Sequence, residues 1–168
     1  MSIFAGYFVL TNAIASKRGE NEMNIGKLIL GGIVAGIVYF IGDGVVHGLL
    51  LKQHWVTILS AVNVDAEKAL KTPAIFGTYD LIKGLVAVWI YAAIRPRFGA
   101  GARTAVIAGI ITWLAAIPLP LIGLIPMKFF DAGFVGLWSA YAFVPMILGA
   151  LVGAWLYRED TLTASPRR

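Results

Sequence analysis

Apolar residues fall in four long stretches along the chain, separated by shorter polar connections. A helix needs about 20 mostly apolar residues to cross the hydrocarbon core of a bilayer. The pattern predicts membrane spans over Leu28–Leu51, Ala74–Ile94, Thr104–Leu124 and Phe134–Tyr157. The expected fold is therefore all-α, a four-helix transmembrane bundle in which short connections make consecutive spans antiparallel neighbours.

The helical period divides each span into two faces. In span one, Gly32, Gly36, Tyr39, Asp43, His47, Leu50 and His54 share a face, and Leu30, Val34, Ile37, Ile41 and Val45 lie opposite. In span two, Phe76, Gly77, Asp80, Lys83, Gly84, Ala87 and Tyr91 face one way, while Leu81, Ile82, Leu85, Val88 and Trp89 face the other. In both spans the charges travel with the small residues. Glycine lets helix backbones approach closely, so Gly32, Gly36, Gly149 and Gly153 are expected at helix contacts. Pro118, Pro120 and Pro145 each remove a backbone donor and are expected to kink or break spans three and four.

The connections add detail. The stretch 52–73 ends at Pro73 and contains DAEKALK after an Asn63/Asp65 cap signal, which predicts a short interfacial helix between spans one and two. Trp55 is expected to anchor in an interfacial aromatic belt. Residues 1–22 are expected to be an N-terminal extension, either an interfacial or disordered segment or sequence upstream of a natural start at Met23, which is the preferred reading. The four-span domain occupies 23–160, and 161–168 is a polar, flexible tail.

Composition agrees with a membrane setting. Of 168 residues, 59% are hydrophobic and 14% are charged, against about 25% charged in soluble domains. The net charge of +5 does not indicate nucleic acid, because the basic residues sit mainly in the connections. Nine basic residues fall on the side of the N-terminus and four on the other, with every arginine on the first. That bias predicts N-in/C-in topology in a cell inner membrane. There is no cysteine, hence no thiolate metal site and no cysteine nucleophile. Phosphate-loop, nucleophile-elbow and His-Glu-x-x-His patterns are absent, so neither an enzyme nor a cofactor is expected.

Candidate chemistry comes from depth. Asp43 stands 15 residues above the inner end of span one, and Asp80 and Lys83 stand 14 and 11 above that of span two. Pro118 and Pro120 are 14 and 16 residues up span three, and Tyr141 and Ser139 are 16 and 18 up span four. These positions predict an intramembrane polar layer of Asp43, His47, Asp80, Lys83 and Tyr141. The bland and preferred meaning of its charges is an ion pair that pins spans one and two together. The sharper meaning is a proton or cation relay. Asp43, His47 and His54 could also contribute to a metal or haem site, but the ligand set is incomplete, and no metal is assigned.

The segments GGIVAGIVYFIGDGVVHGLLLKQHW, AAIRPRFGAGARTAVIAGIITW and GALVGAWLYRE carry a resemblance. Across Met23–Glu159 the chain resembles a domain-of-unknown-function family of small four-span bacterial membrane proteins. The resemblance implies a bacterial inner membrane and says nothing about catalysis. Three roles follow as expectations. The first is a structural or accessory membrane protein in contact with lipid, with itself or with a larger complex. The second is a small oligomeric transporter or proton/ion-conducting protein, and the third is intramembrane metal or haem binding.

Overall fold

The computed structural model describes residues 23–65, 68–69 and 72–157. The expected N-terminal extension and C-terminal tail lie outside them. Helix α1 covers Ile25–Val45 and passes directly into a single π-helical turn, Val46–Leu50. A short helix α2, Lys52–Ala61, follows, and then the second span, α3, Pro73–Phe98. The third span is α4, Ala102–Ala116, continued by α5, Pro118–Ile122, and the fourth is α6, Ala132–Leu156. The four spans are long and apolar enough to cross a membrane. They pack as a bundle in which α1 lies chiefly against α3 and α6, and α4 against α6 and α3.

Local chemistry starts these helices where the sequence changes character. Asn24 caps α1, its side chain accepting from Lys27 N at 3.0 Å. Asp131 caps α6 in the same way, accepting from Phe134 N at 2.9 Å. Such caps satisfy backbone donors that have no partner within the helix. Pro73 and Pro118 occupy first-turn positions, where the missing N–H is not needed. The α3–α4 turn uses Gly99 (φ 84°) and Gly101 (φ 134°), conformations that side chains disfavour. Thr104 Oγ1 donates to Gly99 O at 2.7 Å, and Gly101 N donates to Tyr91 Oη at 3.2 Å, closing that turn onto the bundle.

Small residues dominate the middle of the bundle. Adding a Cβ at Gly36 would place it 2.7 Å from Leu81 Cα and 2.9 Å from Asp80 O. One at Gly84 would collide with the backbone of Gly32 and Gly36. The backbones of α1 and α3 therefore touch, a geometry only small residues permit. On the α6 side, Gly149 receives the Tyr39 ring, and Gly153 packs on Val88 and Gly31. The outward residues Leu30, Ile37, Ile41, Ile82, Trp89, Val144 and Leu148 are exposed and apolar, as a lipid-facing surface requires.

One expected feature is extended and two differ. The expected short helix between spans one and two is present, and Lys52–Ala61 adds helix earlier than DAEKALK, whose described Lys68 and Ala69 are also helical. Of that stretch only Asp65, Lys68 and Ala69 are described, and Asp65 Oδ1 accepts from Lys68 N at 3.2 Å as a cap would. Val88, placed on the lipid face by periodicity, is fully buried, because α3 packs on α6 as well as on α1 and α4. The prolines also act differently from one another. Span three breaks at Ile117 before Pro118, with Pro120 inside the following turn, whereas α6 runs continuously through Pro145. The Pro145 ring sits where Gly42 leaves room for it.

Candidate intramembrane ion site

Three charged side chains from two spans converge. Lys83 Nζ lies 2.7 Å from Asp43 Oδ2 and 2.6 Å from Asp80 Oδ1. Asp80 and Lys83 are three residues apart on α3 and so share a face. Asp43 reaches them from α1, about two turns beyond the contact between Gly36 and Gly84 that brings the two helices together. Asp80 is 1% exposed and Lys83 4%, while the Asp43 side chain keeps 16%. Asp43 is therefore the most exposed member of the triad.

The two carboxylates are held differently. Lys83 Nζ makes an aligned hydrogen bond to Asp43 Oδ2. Its contact with Asp80 is as short but poorly aligned, and neither Asp80 oxygen receives a hydrogen bond. The ammonium also lies 4.8 Å from the Tyr79 ring centroid and 5.8 Å from that of Tyr39, within cation–π range. Tyr39 is fully buried, and its hydroxyl donates to Met146 O at 3.2 Å, so that O–H serves the α1–α6 contact.

The triad sits off-centre. Asp43 is seven residues from Leu50 and Asp80 seven from Pro73, the span ends beside α2. At the α-helical rise that is about 10 Å, against about 27 Å to the opposite ends of the same helices. His47 stands one turn beyond Asp43 on the shorter side. Its Nδ1 accepts from Trp55 Nε1 at 3.0 Å, and its ring meets Trp138 edge-on at 4.9 Å between centroids. With Nδ1 accepting, a neutral imidazole carries its proton on Nε2.

The other expected layer members do not join the triad. Tyr141 is exposed on the outer side of α6, whose inward stripe is Ala142, Met146, Gly149 and Gly153. Ser139 contributes its carbonyl to Trp113 Nε1 at 2.9 Å, while its buried hydroxyl has no hydrogen-bond partner. His54 lies on α2, exposed and stacked on Phe134, so the two histidines and Asp43 do not converge. Among the described residues no group of three His, Cys, Asp or Glu side chains is arranged to hold a metal.

Periodicity does not single out Tyr79 or the pairing of Trp55 with His47. Tyr79 carries a readable signal, since it lies four residues before Lys83 on one helix. Trp55, expected as an interfacial anchor, also donates to His47.

Fold and site together define a multi-pass membrane protein with a buried Asp–Lys–Asp triad between its first two spans. No protein-family model, curated protein or solved structure matches the chain. The comparisons identify no family for the chain, and what stands is its four candidate membrane spans.

Proposed function

We propose that this protein binds and releases a proton at Asp43, Lys83 and Asp80 as a step in proton movement across a bacterial inner membrane, without enzymatic chemistry. One observation carries the proposal: two carboxylates share a single ammonium inside the spans. Fully ionised, the triad has a net charge of −1, and an uncompensated charge in this setting is unfavourable by several kcal/mol, roughly. A proton shared by the carboxylates removes that charge. A purely structural clasp needs one carboxylate, and the second makes the site loadable.

The test is dissipation of an imposed pH gradient by proteoliposomes. Wild-type protein is expected to speed it relative to protein-free vesicles, and Asp80→Asn to abolish the effect while the bundle stays folded. Wild-type vesicles no leakier than empty ones would falsify the transport step.

An accessory role in a larger complex is the second reading, favoured by the Gly36–Gly84 contact beside the triad, which a packing clasp would explain. In that case Asp43→Asn with Lys83→Met leaves a working protein.

Charge placement supports an orientation with both ends of the described chain in the cytoplasm. Lys27, Arg95, Arg97 and Arg103 gather at the end where α1 begins, and that end has no carboxylate among the described residues. The α2 end mixes Lys52, Lys68 and Lys128 with Asp65 and Asp131. Excess arginine and lysine mark the cytoplasmic side.

A further inference from the structure

We infer that His47 is the group that passes protons between the triad and the α2 end of the bundle, and that the hydrogen bond from Trp55 holds it closed. This rests on the proton-binding reading of the triad and adds the route by which that site is reached.

Position comes first. His47 lies four residues past Asp43, about 6 Å further toward the nearer membrane boundary. The helix changes character there. Leu51 N bonds Val46 O at 2.8 Å, completing the π-helical turn that contains His47. One extra residue in a turn rotates the helix beyond it, and such turns recur at functional sites. The turn buries Val46 and Leu51, and His47 packs against Trp138 of α6 and Trp55 of α2.

The hydrogen bond supplies the closure. Trp55 Nε1–H occupies the lone pair of His47 Nδ1, the only ring nitrogen of a neutral Nε2–H imidazole that can take up a proton. Trp55, Phe130, Phe134 and Trp138 pack around one another at this end, leaving His47 only partly exposed. The element that carries Trp55 is the one least tied to the bundle: α2 has no buried residue and rests on the aromatic cluster through Trp55 and Ile58.

The charged and titratable groups around His47 are few. Asp43 lies four residues away on its own helix, with Lys83 of α3 paired to it and Asp80 behind Lys83. Lys52 and His54 lie on α2. From α6 it meets the uncharged Trp138.

The transfer conserves charge. When Trp55 withdraws, a proton from water adds to Nδ1 and gives the imidazolium. The Nε2 proton then passes to the ionised carboxylate of Asp43, leaving a neutral imidazole and a carboxylic acid.

Two substitutions in the full chain separate the parts. His47→Gln keeps an acceptor for Trp55 but cannot carry a proton, and it should slow proton entry into vesicles by roughly tenfold or more. Trp55→Phe keeps a ring in the cluster and removes the donor. It should speed entry and shift its pH profile. Nitrogen NMR of the His47 imidazole in lipid nanodiscs should show Nδ1 bare and Nε2 protonated in the wild type, and a mixed tautomer in Trp55→Phe.

His47→Gln vesicles that take up protons like the wild type, while Asp80→Asn vesicles do not, overturn the route and leave the triad standing. Unchanged imidazole signals in Trp55→Phe overturn the closure. If Asp80→Asn vesicles behave like the wild type, the triad reading fails and takes the route with it.

Discussion

Lys83 on α3 reaches Asp43 on α1 at 2.7 Å, while Gly84, the next residue, lets the two backbones meet. The clasp and the close approach depend on each other. An ammonium so short of water needs its carboxylates near, and the carboxylate of Asp43 is near only because no side chain separates the helices.

The triad members should therefore differ in what they contribute to stability. Asp80→Asn leaves a neutral Lys83–Asp43 pair in nearly the same volume and is expected to change stability by less than about 1 kcal/mol. Lys83→Met strands two carboxylates among buried groups and should destabilise by about 3–5 kcal/mol. Thermal unfolding of both variants in the same detergent gives the order. Equal losses would mean that the second carboxylate belongs to the clasp after all.

Gly84→Ala tests the contact beside it. The new methyl would meet the backbone of Gly32 and Gly36, which cannot move as a side-chain tip can. A loss of about 1–3 kcal/mol is expected from overpacking. Gly44→Ala is the control, since nothing lies within 4 Å of a Cβ at that position. It should leave denaturant unfolding unchanged or slightly more resistant.

Tyr39→Phe removes the hydroxyl that donates to Met146 O. The Met146 carbonyl is buried there, so about 1 kcal/mol of stability should disappear, with the helix content by circular dichroism intact. Proton movement should persist, because that hydroxyl is engaged with Met146 O on α6 and the ring beside Lys83 is kept.

Orientation can be read with single cysteines, since the chain has none of its own. Ala100→Cys, in the turn beside Arg95, Arg97 and Arg103, should resist a membrane-impermeant thiol reagent in intact cells. Thr57→Cys on α2 should react. The reverse pattern would invert the proposed topology and place the short path to the triad on the cytoplasmic side.

Run length alone made the four spans legible, because a bilayer imposes one length on every crossing helix. The meeting of Asp43, Asp80 and Lys83 was legible from two coordinates together: shared depth, and a face lined with glycine. Tyr141 shows what depth alone leaves open. Its height matched the layer, but the inward stripe of α6 runs through Ala142, Met146 and Gly149, so its azimuth points outward. Val88 was misplaced for a related reason. A two-sided division assumes neighbours on one face, and α3 has them on several. The π-helical turn at Val46–Leu50 has no composition of its own, so the pairing of His47 with Trp55 was hidden. The span-three break was legible in the two prolines, since a helix cannot supply the donors they lack.

The central claim is that the triad holds a proton. Infrared spectroscopy of the protein in lipid, with light and heavy water compared, tests it most directly through the carbonyl stretch of a protonated carboxyl group. The account predicts one such group per chain at neutral pH, lost in both Asp80→Asn and Asp43→Asn. Two ionised carboxylates at every pH where the bundle stays folded would contradict it.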